Sequence, residues 1–198
     1  MRKRMLGCFL IVLVVVGSGF ERVSAAPFED IQGHWAEDSL RNVIEQGWMK
    51  GYVDGRFGVN RNITRAEVSL ILKRSFSFPA EGSEDYTDVP TFHWAYDSIK
   101  YVSGAGLMQG MTGNKFYPNE ELTRAQLAQV IVRLDSNGST SQTRQVFSDV
   151  PSSFWGYDAI MQANANGSMT GYADGSFLPN RDVTRAEFAV VLSRIKVG

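Results

Sequence analysis

Apolar residues recur at helical spacing in three stretches of the chain, which lie 59 and then 61 residues apart. In each stretch the apolar positions fall four, seven and eight residues after a threonine, which is the spacing of one face of an α-helix. The three sets are Val68, Ile71 and Leu72, then Leu127, Val130 and Ile131, then Phe188, Val191 and Leu192. The pattern predicts three helices that each turn one face toward a core.

The same five-residue phrase begins each of these helices: an apolar residue, Thr, Arg, Ala, and then Glu or Gln. Thr at the N-cap with Glu or Gln three residues later is a capping box, in which two side chains accept the free backbone amides of the first turn. The predicted structural capping pairs are Thr64 with Glu67, Thr123 with Gln126, and Thr184 with Glu187. The arginine between them lies at N1, where the helix dipole disfavours a cation.

A shorter apolar stripe precedes each capping box and begins near a tryptophan that lies 29 residues before the threonine. It predicts a first helix in each repeat, which ends at an aligned glycine such as Gly47. Core packing is the favoured interpretation of the aligned tryptophans, and a groove wall that stacks on a sugar is the alternative. These tryptophans are Trp35, Trp94 and Trp155. The fold class is therefore all-α, with three helix-loop-helix repeats that must share a core.

The first 25 residues differ from the rest of the chain and predict a secretory signal peptide. Three basic residues precede an apolar run, and Val23-Ser24-Ala25 supplies a small-residue cleavage site. An uncleaved membrane anchor is the alternative. Cleavage would remove four basic residues and one acidic residue, which changes the formal charge from −1 to −4. This balance argues against a nucleic-acid partner, and we expect no membrane insertion after cleavage. The expected organisation is 1–25 signal peptide, then repeats 26–84, 85–145 and 146–198.

The repeated arginines are the first candidates for chemistry. A guanidinium group matches a carboxylate bidentately, so Arg65, Arg124 and Arg185 could bind an acidic ligand or pair with Asp30, Asp88 or Asp149. Because N1 disfavours a cation, their removal is expected to spare stability. The aligned glycines are interpreted as turn residues, with close approach of a ligand as the alternative at Gly51, Gly110 and Gly171.

No catalytic constellation stands out in the sequence. It lacks a recognisable Ser-His-acid set, paired-carboxylate motif or phosphate loop. Asp54-Gly55 and Asp174-Gly175 are interpreted as turns, because the dense carboxylate spacing of a calcium loop is missing. We therefore predict a protein that is not an enzyme and that needs no cofactor and no metal.

Four motifs in constant order resemble the S-layer homology domain family: Phe-x-Asp, His-Trp-Ala, Gly-Tyr-x-Asp-Gly-x-Phe-x-x-Asn and Thr-Arg-Ala-Glu. The resemblance implies a pseudo-trimeric, three-pronged helical bundle on a secreted, cell-surface protein. It also implies non-covalent binding of an anionic secondary cell wall polymer, often one ending in pyruvylated N-acetylmannosamine. The polymer would lie in grooves between modules, with Arg65, Arg124 and Arg185 central.

Departures from the motifs lie mainly in the second repeat, which has Gln126 for glutamate and Met111-Thr112-Gly113-Asn114 for Tyr-Val-Asp-Gly. The third repeat has Phe154 where the others have histidine. The grooves are therefore expected to be unequal, with a non-binding groove among the outcomes. Two competing functions stay open: a structural or adhesin protein whose modules bind a partner protein, and the anchoring part of a longer secreted enzyme.

Overall fold

The computed structural model describes residues 28–79, 83, 85–134 and 146–195. The predicted signal peptide lies outside these residues. Within them the chain forms six α-helices and no extended strand, which confirms the all-α class. The helices are α1 Glu37–Glu45, α2 Arg65–Ser75, α3 Tyr96–Gly104, α4 Arg124–Leu134, α5 Tyr157–Ala165 and α6 Arg185–Arg194.

The capping boxes begin the second helix of each repeat, as predicted. In α2 the Thr64 side chain accepts the Glu67 amide at 3.3 Å, and Glu67 Oε2 accepts the Thr64 amide at 3.0 Å. The same reciprocal pair forms at Thr184 and Glu187. Gln126 replaces glutamate without loss of the box, because its Oε1 accepts the Thr123 amide at 3.1 Å. The Gln126 amide in turn donates to Thr123 Oγ1 at 3.3 Å.

The first helix of each repeat begins later than the tryptophan and ends before the aligned glycine. In the first repeat Ala36 is the N-cap of α1, so Trp35 lies outside the helix. Gly47 follows the C-cap with φ +72°, a left-handed conformation that glycine adopts at little cost. Gly106 and Gly167 adopt the same conformation after α3 and α5.

Helices pack between repeats rather than within them. The main helix pairs are α2 with α3, α4 with α5, and α6 with α1. Each prong of the bundle therefore combines the second helix of one repeat with the first helix of the next, and α6 closes the ring on α1. One continuous hydrophobic core runs through all three repeats. A single repeat would lack the partner for both of its helices.

Backbone hydrogen bonds join the three repeats at the centre of the ring. The Ile63 amide donates to Val183 O at 2.9 Å, Val183 to Leu122 O at 2.9 Å, and Leu122 to Ile63 O at 3.0 Å. These three residues are buried and immediately precede the capping threonines. The closed triangle brings the N-termini of α2, α4 and α6 together around a pseudo-threefold axis.

Candidate functional site

Each N1 arginine extends away from its own helix and holds the loop of the next repeat. Arg65 donates from Nε to Phe116 O at 2.8 Å and from Nη2 to Gln109 O at 2.9 Å. Arg124 makes the equivalent bonds to Phe177 O and Thr170 O. Arg185 closes the ring by bonding Phe57 O and Lys50 O in the first repeat. The arginines are therefore cross-links between repeats.

The arginine side chains are almost completely removed from solvent. Arg65, Arg124 and Arg185 are 4%, 7% and 3% exposed. Each guanidinium lies over the phenylalanine whose carbonyl it binds, at 4.4 to 4.7 Å from the ring centroid. Burial lowers the pKa of Arg65 and of Arg124, although arginine in a protein stays charged at neutral pH. Carbonyl oxygens and an aromatic face compensate each buried cation, and Arg185 in addition has a carboxylate nearby, Glu67 at 3.7 Å.

The interpretation of the arginines as ion-pair partners of the three aligned aspartates, Asp30, Asp88 and Asp149, is wrong. Asp30 accepts the amides of Phe57, Gly58 and Val59 at 2.6 to 3.2 Å. Burial alone would raise the pKa of Asp30, but these amide bonds together lower it. Asp88 and Asp149 each accept two amides of the corresponding loop in their own repeats. The aspartates shape the loop, and the arginine of the preceding repeat binds the carbonyls on it.

The bonds between repeats argue against the expectation that arginine removal spares the fold. An alanine at any of the three positions would leave two loop carbonyls without their donor and would open space in a buried layer. The dipole argument considered only the backbone of the helix that carries the arginine. The large energetic effect comes from the loop of a neighbouring repeat.

The three aligned tryptophans are exposed, so their assignment to the core is wrong. Trp35, Trp94 and Trp155 are 69%, 59% and 60% exposed. Because each lies before the first helix begins, it stands outside the apolar stripe. The small residue that follows it, Ala36 or Ala95, is buried instead. The rings are therefore free to form the rim of a surface site.

The glycines at 51, 110 and 171 are required by close packing within each repeat. A Cβ added to Gly51 would lie 2.3 Å from the Phe28 ring and 2.8 Å from Arg56 O. Tyr86 and Phe147 occupy the same place against Gly110 and Gly171. The close approach at these glycines is made by an aromatic ring of the same repeat. Gly110 in addition lines the cavity beside Arg65.

A cavity of about 370 Å³ opens beside Arg65, and it joins all three repeats. The first repeat supplies Arg65, the second supplies segment 108–111 and one face of α4, and the third supplies Trp155. Arg133 is the second cation of the lining, and none of the described lining residues is acidic. Gln126 stands where the other repeats have glutamate. We call this cavity the Arg65 groove.

At Arg124 and Arg185, neighbouring side chains cover the guanidinium group. The Arg185 guanidinium lies 4.6 Å from the centroid of the Tyr52 ring and 3.7 Å from Glu67 Oε1. The Tyr52 hydroxyl donates to Glu67 at 2.7 Å, and burial with this bond raises the pKa of Tyr52. Arg124 likewise lies under Tyr172, while Arg181 bonds both Tyr172 and Glu187. A tyrosine ring thus lies over each of these two arginines, with its glutamate paired to Arg185 in one case and to Arg181 in the other.

The model of one protein family matches each of the three repeats. This is the S-layer homology domain, which matches residues 27–69, 85–128 and 146–189. The chain belongs to the S-layer homology domain family. Modules of this family are binding modules that anchor proteins at the cell surface. The family and the S-layer relatives of the chain indicate that it is secreted and located at the cell surface.

Several curated bacterial proteins are similar to this chain. A surface-layer 125 kDa protein of Lysinibacillus sphaericus is 31% identical over 173 residues, covering 84% of the chain and 14% of that protein. A cellulosome-anchoring protein of Acetivibrio thermocellus is 31% identical over 155 residues, covering 74% and 35%. An endoglucanase of a Bacillus species is 32% identical over 178 residues, covering 87% and 19%. The chain therefore spans a minor part of the length of these relatives.

Two further features of the described residues bear on the site. No helix within 28–79, 85–134 or 146–195 is long and apolar enough to cross a membrane. The same residues contain no cluster of three His, Cys, Asp or Glu side chains that could hold a metal ion.

Proposed function

We propose that the chain anchors its protein to the cell wall by non-covalent binding of an anionic secondary wall polymer, and that the Arg65 groove carries most of this binding. The observation that carries the proposal is the contrast in compensation: Arg65 faces an open cavity without a carboxylate, whereas Tyr52 with Glu67 and Tyr172 with Glu187 cover the other two arginines. An acidic sugar would supply the missing negative charge.

The groove contains the groups that such a sugar needs. Loop carbonyls use two of the five N–H donors of Arg65, a residue of the cavity lining, and three N–H groups are left that these carbonyls do not engage. A carboxylate can bind arginine bidentately, and this bond is stronger where water is partly excluded. Arg133 adds a second positive charge, and the exposed face of Trp155 suits the apolar face of a sugar ring.

The same proposal applies if the chain is part of a longer enzyme or of an S-layer protein. The similar endoglucanase and surface-layer protein are both much longer than the part that matches this chain. In that case the three repeats would hold the rest of the protein at the wall, and any enzymatic activity would lie in its other domains.

Sedimentation with purified cell walls tests the proposal. The chain should sediment with intact walls and stay in solution after the acidic secondary polymer has been extracted. Gln126→Glu should lower the sedimented fraction roughly tenfold, since it places a carboxylate beside Arg65 while keeping the capping box. The matched control is Glu187→Asp, which keeps a carboxylate in a covered groove and should bind like the parent. Equal sedimentation with extracted walls would overturn the proposal and favour a protein or peptidoglycan partner.

A further inference from the structure

A second cavity, of about 440 Å³, adjoins the Arg65 groove and takes no part in the arginine chemistry. The two cavities share segment 109–111 as a wall. The rest of the second lining consists of the side chains Ser83, Tyr86, Ser103 and Asn114. We call it the hydroxyl cavity, because hydroxyl and amide groups dominate the part that does not touch the Arg65 groove.

The shared wall is held from both sides. On the groove side, Arg65 donates to Gln109 O at 2.9 Å. On the other side, the Gly110 amide donates to the Tyr86 hydroxyl at 3.1 Å, and this hydroxyl pairs with Ser103 Oγ at 2.9 Å. The Met111 amide donates to Lys115 O at 2.7 Å. The spacing between the two cavities is therefore fixed by bonds that the folded chain already makes.

The hydroxyl of Tyr86 is particular to the second repeat. Where it has Tyr86, the first and third repeats have Phe28 and Phe147, which pack on the equivalent glycines without a hydroxyl. Where it has Ser103, the first repeat has Ile44. Packing on Gly110 needs only the ring, as the phenylalanines demonstrate. The added hydroxyls coincide with the one repeat whose loop also opens the Arg65 groove.

None of the described residues that line the hydroxyl cavity carries a charge. Lys100 donates to the Ser83 carbonyl at 2.7 Å and is already paired with Asp85 at 2.9 Å. Hydroxyl and amide groups both donate and accept hydrogen bonds, and this matches the hydroxyls of a neutral sugar. A second acidic group would find no cation among the described lining residues, in contrast to the Arg65 groove.

We infer that the two cavities form one bipartite site for an oligosaccharide of at least two units, with the acidic unit at Arg65 and the adjoining neutral unit in the hydroxyl cavity. This inference rests on the proposed wall-polymer function and adds to it a rule of recognition. The Arg65 groove, on one side of segment 109–111, binds the charge of the terminal unit. The hydroxyl cavity, on the other side, binds the hydroxyls of the next unit.

The test uses the whole chain and acidic fragments of purified wall polymer, fractionated into one-unit and two-unit lengths that keep the acidic end. The parent should bind the two-unit fragment about tenfold more tightly than the one-unit fragment, as two further hydrogen bonds would give. The variant Tyr86→Phe with Ser103→Ala should lose that difference. Ser83→Ala, at a lining residue outside the bonds described above for segment 109–111, should reduce the difference and keep the parent affinity for the one-unit fragment. Tyr117→Phe is the matched control, since Tyr117 lies in the same repeat and lines neither cavity.

Each other outcome overturns the inference in a distinct way. Equal affinity of the parent for both lengths would remove the second subsite while leaving the wall-polymer function intact. If the double variant keeps the tenfold difference, the neutral unit binds elsewhere. If it loses affinity for both lengths alike, the hydroxyls only position segment 109–111. Failure of the parent to bind either fragment would contradict the proposed function itself.

Discussion

The groove around Arg65 and the site around Arg185 are built from equivalent positions but end in different states. Both arginines hold two carbonyls of a neighbouring loop, and both lie against a phenylalanine ring. At Arg185 the space above the guanidinium is covered by Tyr52 and Glu67, whereas at Arg65 the same positions are Met111 and Gln126. The comparison separates the structural role of the arginine, which all three repeats keep, from a binding role that depends on its neighbours.

The largest effect should come from removing an arginine. Arg65→Ala and Arg185→Ala should each lower the free energy of unfolding by roughly 3 kcal/mol, because two charge-assisted hydrogen bonds and a buried stacking contact are lost. Denaturant unfolding measures this directly. Lysine at either position should recover part of the stability, since it keeps the charge without the planar fork. If Arg65→Ala were as stable as the parent, the cross-link between repeats would not carry the energy assigned to it.

A smaller effect should separate the three tryptophans. Trp155→Ala removes the rim of the Arg65 groove and should weaken wall binding about five- to tenfold, equivalent to about 1 kcal/mol of stacking. Trp35→Ala and Trp94→Ala remove rings of similar exposure that do not line the Arg65 groove, and they should change binding less than twofold. Sedimentation of the three variants with walls makes the comparison at nearly constant stability. Equal losses in all three would indicate that all three grooves bind.

The covered site can be opened with residues that the chain already uses. Tyr52→Met together with Glu67→Gln reproduces the second repeat around Arg185, and glutamine still completes the capping box as it does at Gln126. The variant should gain a second binding groove, and its retention on walls should rise a few-fold through avidity. The matched control is Tyr52→Phe, which removes only the hydroxyl and should leave the ring over Arg185. Unchanged binding of a stably folded double variant would show that groove cover is not what limits the Arg185 site.

The helices, caps and all-α class could be predicted from the sequence because they depend on local spacing. The stripe after Thr64 and its capping partner Glu67 both act within one helix. The partners of Arg65 could not be found in this way, since Gln109 O and Phe116 O are backbone atoms that any residue would offer. Trp35 was misassigned because it lies close to an apolar stripe, yet precedes the first residue of α1.

The inequality of the grooves was visible in the sequence, but its direction was not. The substitutions at 111 and 126 mark the second repeat as different, and they predict unequal grooves without indicating which groove binds. In three dimensions Met111 and Gln126 face an arginine of the first repeat and a tryptophan of the third. Since helices pack between repeats, a departure in one repeat changes a site shared by three.

The smallest predicted effect concerns acid. The pKa of Asp30 is lowered in the folded chain, so the folded state binds fewer protons than the unfolded state as the pH falls toward 3.8 and below. Stability from the Asp30 amide bonds is therefore present above this range and lost below it. The melting temperature of the parent should fall as the solution is made acidic. This fall should be smaller in Asp30→Asn, whose melting temperature at neutral pH is already lower. Because this loop receives Arg185 rather than Arg65, wall binding should persist in acid until the chain unfolds.

Calorimetric titration of the full chain with the one-unit acidic fragment of wall polymer tests the central claim most directly, because it counts the binding grooves. The account predicts one principal site per chain, which is lost in Gln126→Glu and retained in folded Glu187→Asp. Two or three equivalent sites, or a site that survives Gln126→Glu with undiminished affinity, would contradict the claim that the open Arg65 groove carries the binding.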